Sequence, residues 1–174
     1  PADFDHYSDI SSSAMRIIES FADVFEYVGR DEAYLDITER TNLNFDRAGH
    51  IAQQLKNEIQ YKLKMTCSVG VSPNKLISKV ASDYKKPDGL TIIKPKQVMK
   101  FLEPLKIRVI PGIGEKTELV FTDLNCEIIK DIHKFDVFEL NKKFGRKTGT
   151  YIYNAVRGIS NNLVKPRPPT IQFS

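Results

Sequence analysis

Two adjacent carboxylates, Asp31 and Glu32, are the residues of this sequence whose types best suit metal chemistry. The residues on both sides of them predict two short strands that form a hairpin within residues 24–38. Neighbouring side chains of a straight strand point to opposite faces, so both carboxylates can reach one ligand only if the chain turns between the strands, which Gly29 permits. Proteins usually hold Mg²⁺ with one or two carboxylates plus substrate phosphates. An exposed acidic turn is the alternative interpretation.

A glycine-rich turn at residues 110–114, with the sequence Ile-Pro-Gly-Ile-Gly, has the residue types of an anion-binding loop. Two glycines allow a tight turn, which leaves backbone N–H groups free at a helix N-terminus, where the helix dipole favours anions. A lysine two residues later adds a mobile positive charge. The sequence therefore predicts a phosphate site that reads no base sequence, formed by Gly112, Ile113, Gly114 and Lys116. An ordinary turn between helices is the alternative.

A third candidate is the pair Lys85 and Lys86, which ends a predicted helix and precedes a Pro-Asp-Gly turn. Two ammonium groups beside the edge of a sheet can hold a polyphosphate as point charges. The alternative is that these cations only stabilise the C-terminus of the helix.

Hydrophobic periodicity predicts the elements that must position these residues. Helices are expected at residues 6–23, from 44 or 46 to about 64, and from Ser72-Pro73 to about 84, with further strands at 66–71 and 90–93. Beyond Pro95 the pattern is helical only, with helices at 97–105, 115–124, 136–144 and 147–157. This order predicts an α+β fold, in which an antiparallel or mixed sheet carries helices on one face and a small helical unit follows.

Composition and charge narrow the classes of protein that remain possible. The 174 residues, 41% of them apolar, contain no run of transmembrane length, which predicts a soluble, cytoplasmic protein without a membrane partner. Cys67 and Cys126 are far apart and are expected to be buried free thiols. Residues 1–60 carry a net charge of −7 and residues 61–174 carry +11. The basic part is either a surface for a polyanion or a solvated lysine-rich face.

Four sequence blocks, taken together, resemble a Y-family DNA polymerase of the DNA polymerase IV (kappa-type) branch. These blocks are residues 31–36 (Asp-Glu-Ala-Tyr-Leu-Asp), 68–76 (Ser-Val-Gly-Val-Ser-Pro-Asn-Lys-Leu), 79–89 (Lys-Val-Ala-Ser-Asp-Tyr-Lys-Lys-Pro-Asp-Gly) and 110–114. Each block alone is a weak signal, but the four occur in the order and spacing of the family and cover almost the whole chain.

The resemblance implies a ferredoxin-like palm at residues 1–94, a small all-helical thumb with a helix-hairpin-helix at 95–160, and a basic linker at 161–174. It implies that Asp31 and Glu32 are catalytic carboxylates that bind two Mg²⁺ ions. By the same resemblance Lys86 contacts the triphosphate of the incoming nucleotide, and the turn around Gly112 and Gly114 holds the DNA backbone. The implied reaction is error-prone, template-directed DNA synthesis past damaged bases, by a monomer with primer–template DNA, deoxynucleoside triphosphates and a sliding clamp as partners.

The sequence departs from the family pattern in two ways. Gly29 and Arg30 stand before the carboxylate pair, where the family usually has Ser and an aliphatic residue. No segment matches the family's first metal-binding aspartate, its fingers or its little finger, so the chain is expected to be an internal piece that does not polymerise DNA by itself. The alternative function is a non-catalytic DNA-binding module, in which the helix-hairpin-helix binds DNA and the carboxylates are the relic of a metal site.

Overall fold

The structure, a computed structural model, describes residues 4–166. The first part of the chain alternates helices and strands, and the second part is helical, as the sequence predicts. The elements of the first part are α1 (Phe4–Ser20), β1 (Val24–Gly29), β2 (Glu32–Asp36), α2 (Thr38–Thr41), α3 (Phe45–Leu63), β3 (Val69–Val71), α4 (Lys75–Tyr84) and β4 (Leu90–Ile92). Those of the second part are α5 (Val98–Leu102), α6 (Glu115–Asp123), α7 (Ile129–Ile132), α8 (Val137–Phe144) and α9 (Arg146–Ala155), with single 3₁₀ turns at Pro95–Gln97 and Ile107–Val109.

The four strands of the described chain form two separate pairs. β1 and β2 pair antiparallel as the predicted hairpin, and β3 and β4 pair in parallel, with α4 as the crossover between them. α1 packs against the hairpin and against α3, and α3 packs against the parallel pair. The α+β class predicted from the sequence is confirmed, but in place of the single predicted sheet the described residues form two separate two-stranded sheets, one antiparallel and one parallel.

Asparagine side chains begin the two long helices that follow the hairpin. Asn44 accepts hydrogen bonds from the N–H groups of Asp46 and Arg47 and caps α3, which selects one of the two predicted caps. The predicted start of α4 at Ser72-Pro73 is wrong: Asn74 is the cap and accepts from the N–H of Ile77. The Ser72 hydroxyl donates instead to the Asn74 carbonyl, so it does not reach the helix N–H groups.

One hydrophobic core extends across the predicted boundary between palm and thumb. The apolar face predicted for α4 is buried, and its residues belong to the same cluster as buried residues from the helical second part: Leu76, Ile77, Val80 and Ala81 with Leu102, Ile110, Phe121, Ile129, Leu140 and Ile152. Because α4 buries its apolar face in this shared cluster, the helical part and the lysine-bearing helix α4 are held in a fixed relation.

The helical part closes on itself through a tight hairpin of α8 and α9. A side chain at Gly149 would place its Cβ 2.5 Å from backbone atoms of Leu140 and Asn141, so only glycine allows this approach. The sequence did not predict α2 and α7, which have four residues each, because so short a helix shows no periodicity.

The remaining predictions concern the thiols, the membrane and the C-terminal linker. Both cysteines are free, as expected, but only Cys126 is buried; Cys67 is half-buried, so the prediction of burial is wrong for Cys67. No helix within residues 4–166 has the length and apolar character needed to cross a membrane. Residues 159–166 form neither helix nor strand. The rest of the predicted linker, residues 167–174, falls outside the described residues.

Candidate active site

The two candidate metal ligands lie at the tip of the β1–β2 hairpin. Asp31 occupies the turn and Glu32 is the first residue of β2, where it pairs with Gly29. The strand register shifts between Tyr27 and Gly29, and this irregularity lets the chain reverse direction. Gly29 does not have a positive φ, so the turn does not depend on the conformational freedom of glycine that the sequence suggested. Both carboxylates are exposed, and both are reachable from solvent at one end of the hairpin.

The preceding arginine does not enter the carboxylate pair. Arg30 is exposed, and its side chain forms no ion pair with any of the side chains described at residues 7–166. Its carbonyl oxygen accepts a hydrogen bond from the Ser11 hydroxyl, which ties the turn to α1. The exposed Arg30 side chain is therefore not paired with Asp31 or Glu32.

Helix α4 supplies the cation beside the carboxylates. The Lys79 ammonium group forms an ion pair with Glu32 and lies 3.4 Å from the Asp83 carboxylate. Asp83 in turn accepts from the Lys86 ammonium group at 2.6 Å. The Asp31 carboxylate has no hydrogen-bonding or ionic partner among the side chains described at residues 7–166. The candidate metal ligand Glu32 and the candidate triphosphate ligand Lys86 are thus joined by a continuous series of ion pairs.

The charges in this series change the proton affinity of its inner members. Partial burial of the Lys79 ammonium group disfavours its charge, but the hydrogen bond and the charge of Glu32, with those of Asp83, outweigh burial and raise the pKa of Lys79. Desolvation raises the pKa of Asp83, but the hydrogen bond from Lys86 and the charges of Lys79 and Lys86 outweigh it, so its pKa is lowered. Both groups are therefore charged at neutral pH.

A buried lysine fixes the turn that carries Lys86. The ammonium group of Lys56, on α3, donates to the carbonyl of Asp88 at 2.9 Å, to its carboxylate, and to the carbonyl of Cys67 at 2.5 Å. Lys86 itself is exposed, and its peptide bond to Pro87 is cis. The sequence analysis did not single out Lys56, because its position within a regular helix gives no sign of a partner 32 residues away.

A second lysine of α4 holds the strand below the carboxylates. The Lys75 ammonium group lies 2.7 Å from both carboxylate oxygens of Glu26, on β1, and 4.7 Å from the centre of the Tyr34 ring. Lys75 and Lys79 lie one turn apart on α4, and both ammonium groups pair with carboxylates of the hairpin, so this face of α4 meets the hairpin. The backbone N–H of Lys165 also donates to Glu26, at 2.8 Å, so the chain after α9 returns to the same strand.

The donor set fits part of a magnesium site. Two adjacent, exposed carboxylates offer oxygen ligands, which Mg²⁺ prefers, and Asp31 is unpartnered within the described chain. The side chains described at residues 7–166 include no cluster of three or more histidines, cysteines, aspartates or glutamates arranged to hold a metal. The pair therefore matches the arrangement in which one or two carboxylates share an ion with substrate phosphates, and it does not form a complete protein cage.

The glycine turn lies between a 3₁₀ turn and α6. Gly112 has a φ of 81°, which only glycine adopts readily, whereas Gly114 is extended and open space surrounds the position of an added Cβ. Ile113 is buried and anchors the turn to the core. The N–H groups of Gly114, Glu115 and Lys116 have no acceptor among the residues that the structure describes. This is the geometry of an anion site at a helix N-terminus.

Two further contacts shape the electrostatics of this turn. The Tyr151 hydroxyl, on α9, donates to the carbonyl of Pro111 and supports the turn from below. Burial raises the pKa of Tyr151, so the phenol remains a donor at neutral pH. Arg108 lies 3.1 Å from Glu118, which reduces the acidic charge in the first turn of α6, while the Lys116 side chain is exposed.

Comparison with known proteins agrees with both halves of this architecture. Residues 1–83 match the impB/mucB/samB family, and residues 108–160 match the thumb domain of DNA polymerase iota. The chain is 65% identical over 172 residues to a DNA polymerase IV of Nitrosopumilus maritimus (strain SCM1), with 99% of this chain and 47% of the relative covered.

Solved structures agree in fold. A DinB family error-prone DNA polymerase from Sulfolobus solfataricus superposes with a TM-score of 0.88 at 34% identity, covering 95% of this chain and 50% of that one. An insertion ternary complex of Dbh DNA polymerase gives a TM-score of 0.85 at 34% identity, covering 91% and 46%. The chain spans about half the length of the curated relatives it matches. It belongs to the Y family of DNA polymerases, in the DNA polymerase IV branch.

Proposed function

We propose that this chain is the palm and thumb part of an error-prone translesion DNA polymerase in which Asp31 and Glu32 bind Mg²⁺. The observation that carries the proposal is the carboxylate pair itself, two consecutive exposed side chains at a hairpin tip beside a lysine-bearing helix. The 65% sequence identity to a DNA polymerase IV, which extends over 99% of this chain, supports the choice of reaction. That reaction is the template-directed transfer of deoxynucleotides to a primer 3′-hydroxyl. In this proposal residues 1–94 are the palm, 95–160 the thumb and 161–174 the linker.

In this proposal different residues bind the nucleotide, the DNA backbone and the metal. The Lys86 ammonium group, exposed at the end of α4, holds the triphosphate of the incoming nucleotide. The free N–H groups of Gly114, Glu115 and Lys116 hold a backbone phosphate of the primer–template duplex, and the Lys116 side chain adds a positive charge there; the N–H of Ile113 is already bonded to the Ile110 carbonyl. Asp31 and Glu32 place their oxygens where the reacting groups meet. When bound, Mg²⁺ supplies Lewis-acid activation of the primer hydroxyl and stabilisation of the pyrophosphate leaving group.

The carboxylate pair alone is an incomplete ligand set for two metal ions. Two Mg²⁺ ions need several anionic oxygens held close together, and among the side chains described at residues 7–166 no third metal-binding group joins Asp31 and Glu32. We therefore expect that the 174-residue chain alone does not extend a primer, and that a longer chain carrying the family's N-terminal strand and fingers does so with Mg²⁺. The sliding clamp is a proposed partner of that longer chain.

Primer extension by the longer chain tests the assignment. Asp31→Ala and Glu32→Ala should each abolish Mg²⁺-dependent extension, because each removes a metal ligand. Glu58→Ala is the matched control: it removes an exposed carboxylate paired with Lys62 on α3, and extension should be unchanged. Full activity after Glu32→Ala, or extension by the 174-residue chain itself, would show that the metal site has been assigned wrongly.

A non-catalytic DNA-binding module is the second candidate, favoured by the net charge of +11 in residues 61–174 and by the free N–H groups of the glycine turn. Both candidates predict weak duplex binding without sequence preference, with an affinity that falls steeply with salt as counterions are released. Lys116→Ala should weaken binding to a given duplex and to duplexes of scrambled sequence by the same factor. The reading frame upstream of residue 1 separates the candidates: an Asp-x-Asp-x-Phe-Phe-type strand supports the enzyme, and its absence supports the module.

A further inference from the structure

The series of ion pairs from the hairpin to the end of α4 suggests a role for two residues outside the proposed ligand set. Lys79 and Asp83 lie one helical turn apart on α4, between Glu32 on β2 and Lys86 after the helix. Neither side chain is a proposed ligand for metal or triphosphate. Lys79 nevertheless contacts the proposed metal ligand Glu32, and Asp83 contacts the proposed triphosphate ligand Lys86.

The two oxygens of Asp83 are used differently. Oδ1 lies 2.6 Å from the Lys86 ammonium nitrogen, whereas Oδ2 lies 3.4 Å from that of Lys79. The Lys79 ammonium group instead makes its close contact with Glu32. Lys79 is thus shared unequally between two carboxylates, and the longer of its two contacts can shorten if Glu32 takes another partner.

We propose that Lys79 is a placeholder cation on Glu32, and that Asp83 relays its displacement to Lys86, so that a metal at the carboxylates frees the lysine that binds triphosphate. A divalent cation at Glu32 repels the Lys79 ammonium group, which moves fully to Asp83. Asp83 then shares its charge with two close ammonium groups, and its hold on Lys86 weakens. This inference rests on the proposed metal site at Asp31 and Glu32, and it adds the coupling between that site and the nucleotide.

Nuclear magnetic resonance of the 174-residue chain tests the relay without catalysis. Backbone amide signals of Asp31 and Glu32 report arrival of Mg²⁺, and ¹³C-labelled lysine ε-methylene signals report the relay. On titration with MgCl₂ at constant ionic strength, the Lys79 and Lys86 signals should shift with the same midpoint as the two amides. Lys75, one turn earlier on α4 and paired with Glu26, is the internal control and should not follow that midpoint.

The variant Asp83→Asn breaks the proposed relay. Mg²⁺ should still shift the amides and Lys79, but the Lys86 signal should no longer respond. An unchanged Lys86 response in Asp83→Asn, or a silent Lys79 while the amides shift, would overturn the relay and leave the metal site standing. Amides that do not shift at all would overturn both the metal assignment and the relay that rests on it.

Affinity gives a second measurement. Lys79→Met removes the competing cation, so Mg²⁺ should bind more tightly, by up to about fivefold, the range of exposed ion pairs. The matched control is Lys62→Met, which makes the same change of charge in a similarly spaced pair with Glu58 on α3 and should leave the affinity unchanged. Equal or weaker Mg²⁺ binding by Lys79→Met would mean that Lys79 does not compete with the metal, and the proposal fails.

Discussion

Replacement by alanine should have different effects at the two glycines of the turn at residues 110–114, which we propose binds phosphate. Gly112 has a φ of 81°, and an added Cβ would meet only the Tyr151 ring, at 3.9 Å. The cost is therefore backbone strain and not a clash, about 1–2 kcal/mol for a left-handed L-residue. Gly114 is extended, with open space around the added Cβ, so no strain arises there.

For Gly114→Ala two small effects oppose each other. Alanine restricts the unfolded chain, which stabilises by about 0.4–1 kcal/mol, but it is a poorer N-cap than glycine by a similar amount. We expect a change in unfolding free energy near zero for Gly114→Ala, and a loss of about 1 kcal/mol or more for Gly112→Ala. For a chain of this size each kcal/mol corresponds to about 2–4 °C in Tm.

DNA binding should weaken in Gly114→Ala, the variant whose stability is expected to stay unchanged. The N–H groups after Gly114 face solvent without acceptors, so a methyl group at Gly114 lies in the space that a phosphate would occupy. Thermal melts and fluorescence anisotropy with a labelled duplex should show Gly114→Ala with normal Tm and weakened binding. Normal binding by Gly114→Ala would refute the placement of the phosphate, and an unchanged Tm for Gly112→Ala would refute the strain argument.

Three further predictions concern the nucleotide site, acid stability and packing. In the complete enzyme Lys86→Ala should raise KM for deoxynucleotides while DNA affinity, measured by anisotropy, stays nearly constant; an equal loss of DNA binding would make Lys86 a backbone contact. Hydrogen bonds from the N–H groups of Ile128 and Glu127 lower the pKa of Asp131, so its stabilising charge is present above about pH 4 and is lost as pH falls through the lowered pKa. Asp131→Asn should therefore lower Tm at pH 7 but not near pH 2, and a deficit that persists in acid would contradict this cause. Gly149→Ala would press a Cβ 2.5 Å from the α8 backbone and should cost about 1–3 kcal/mol in a denaturant titration; a melt like that of the parent chain would mean that α8 and α9 separate freely.

Features that depend on local sequence could be predicted from the residues alone. The hairpin around Asp31 and Glu32 followed from two short strands with a break between them, and the structure has it. The buried face of α4 followed from 3.6-residue periodicity. The glycine turn was also recognisable, although only Gly112 has the positive φ that glycine serves. In each case neighbouring residues determine the conformation, so the signal is contained in a short window.

Contacts between distant elements were decided only by the tertiary structure. Glu32 and Lys79 are 47 residues apart, and nothing in either local pattern marks them as partners. The anchor from Lys56 to the Asp88 turn and the single core that joins α4 to the helical part are of the same kind. Periodicity tells which face of an element is polar or apolar, but not which other element meets that face. That choice depends on how all elements pack together, and it determines which cation lies beside the candidate metal ligands.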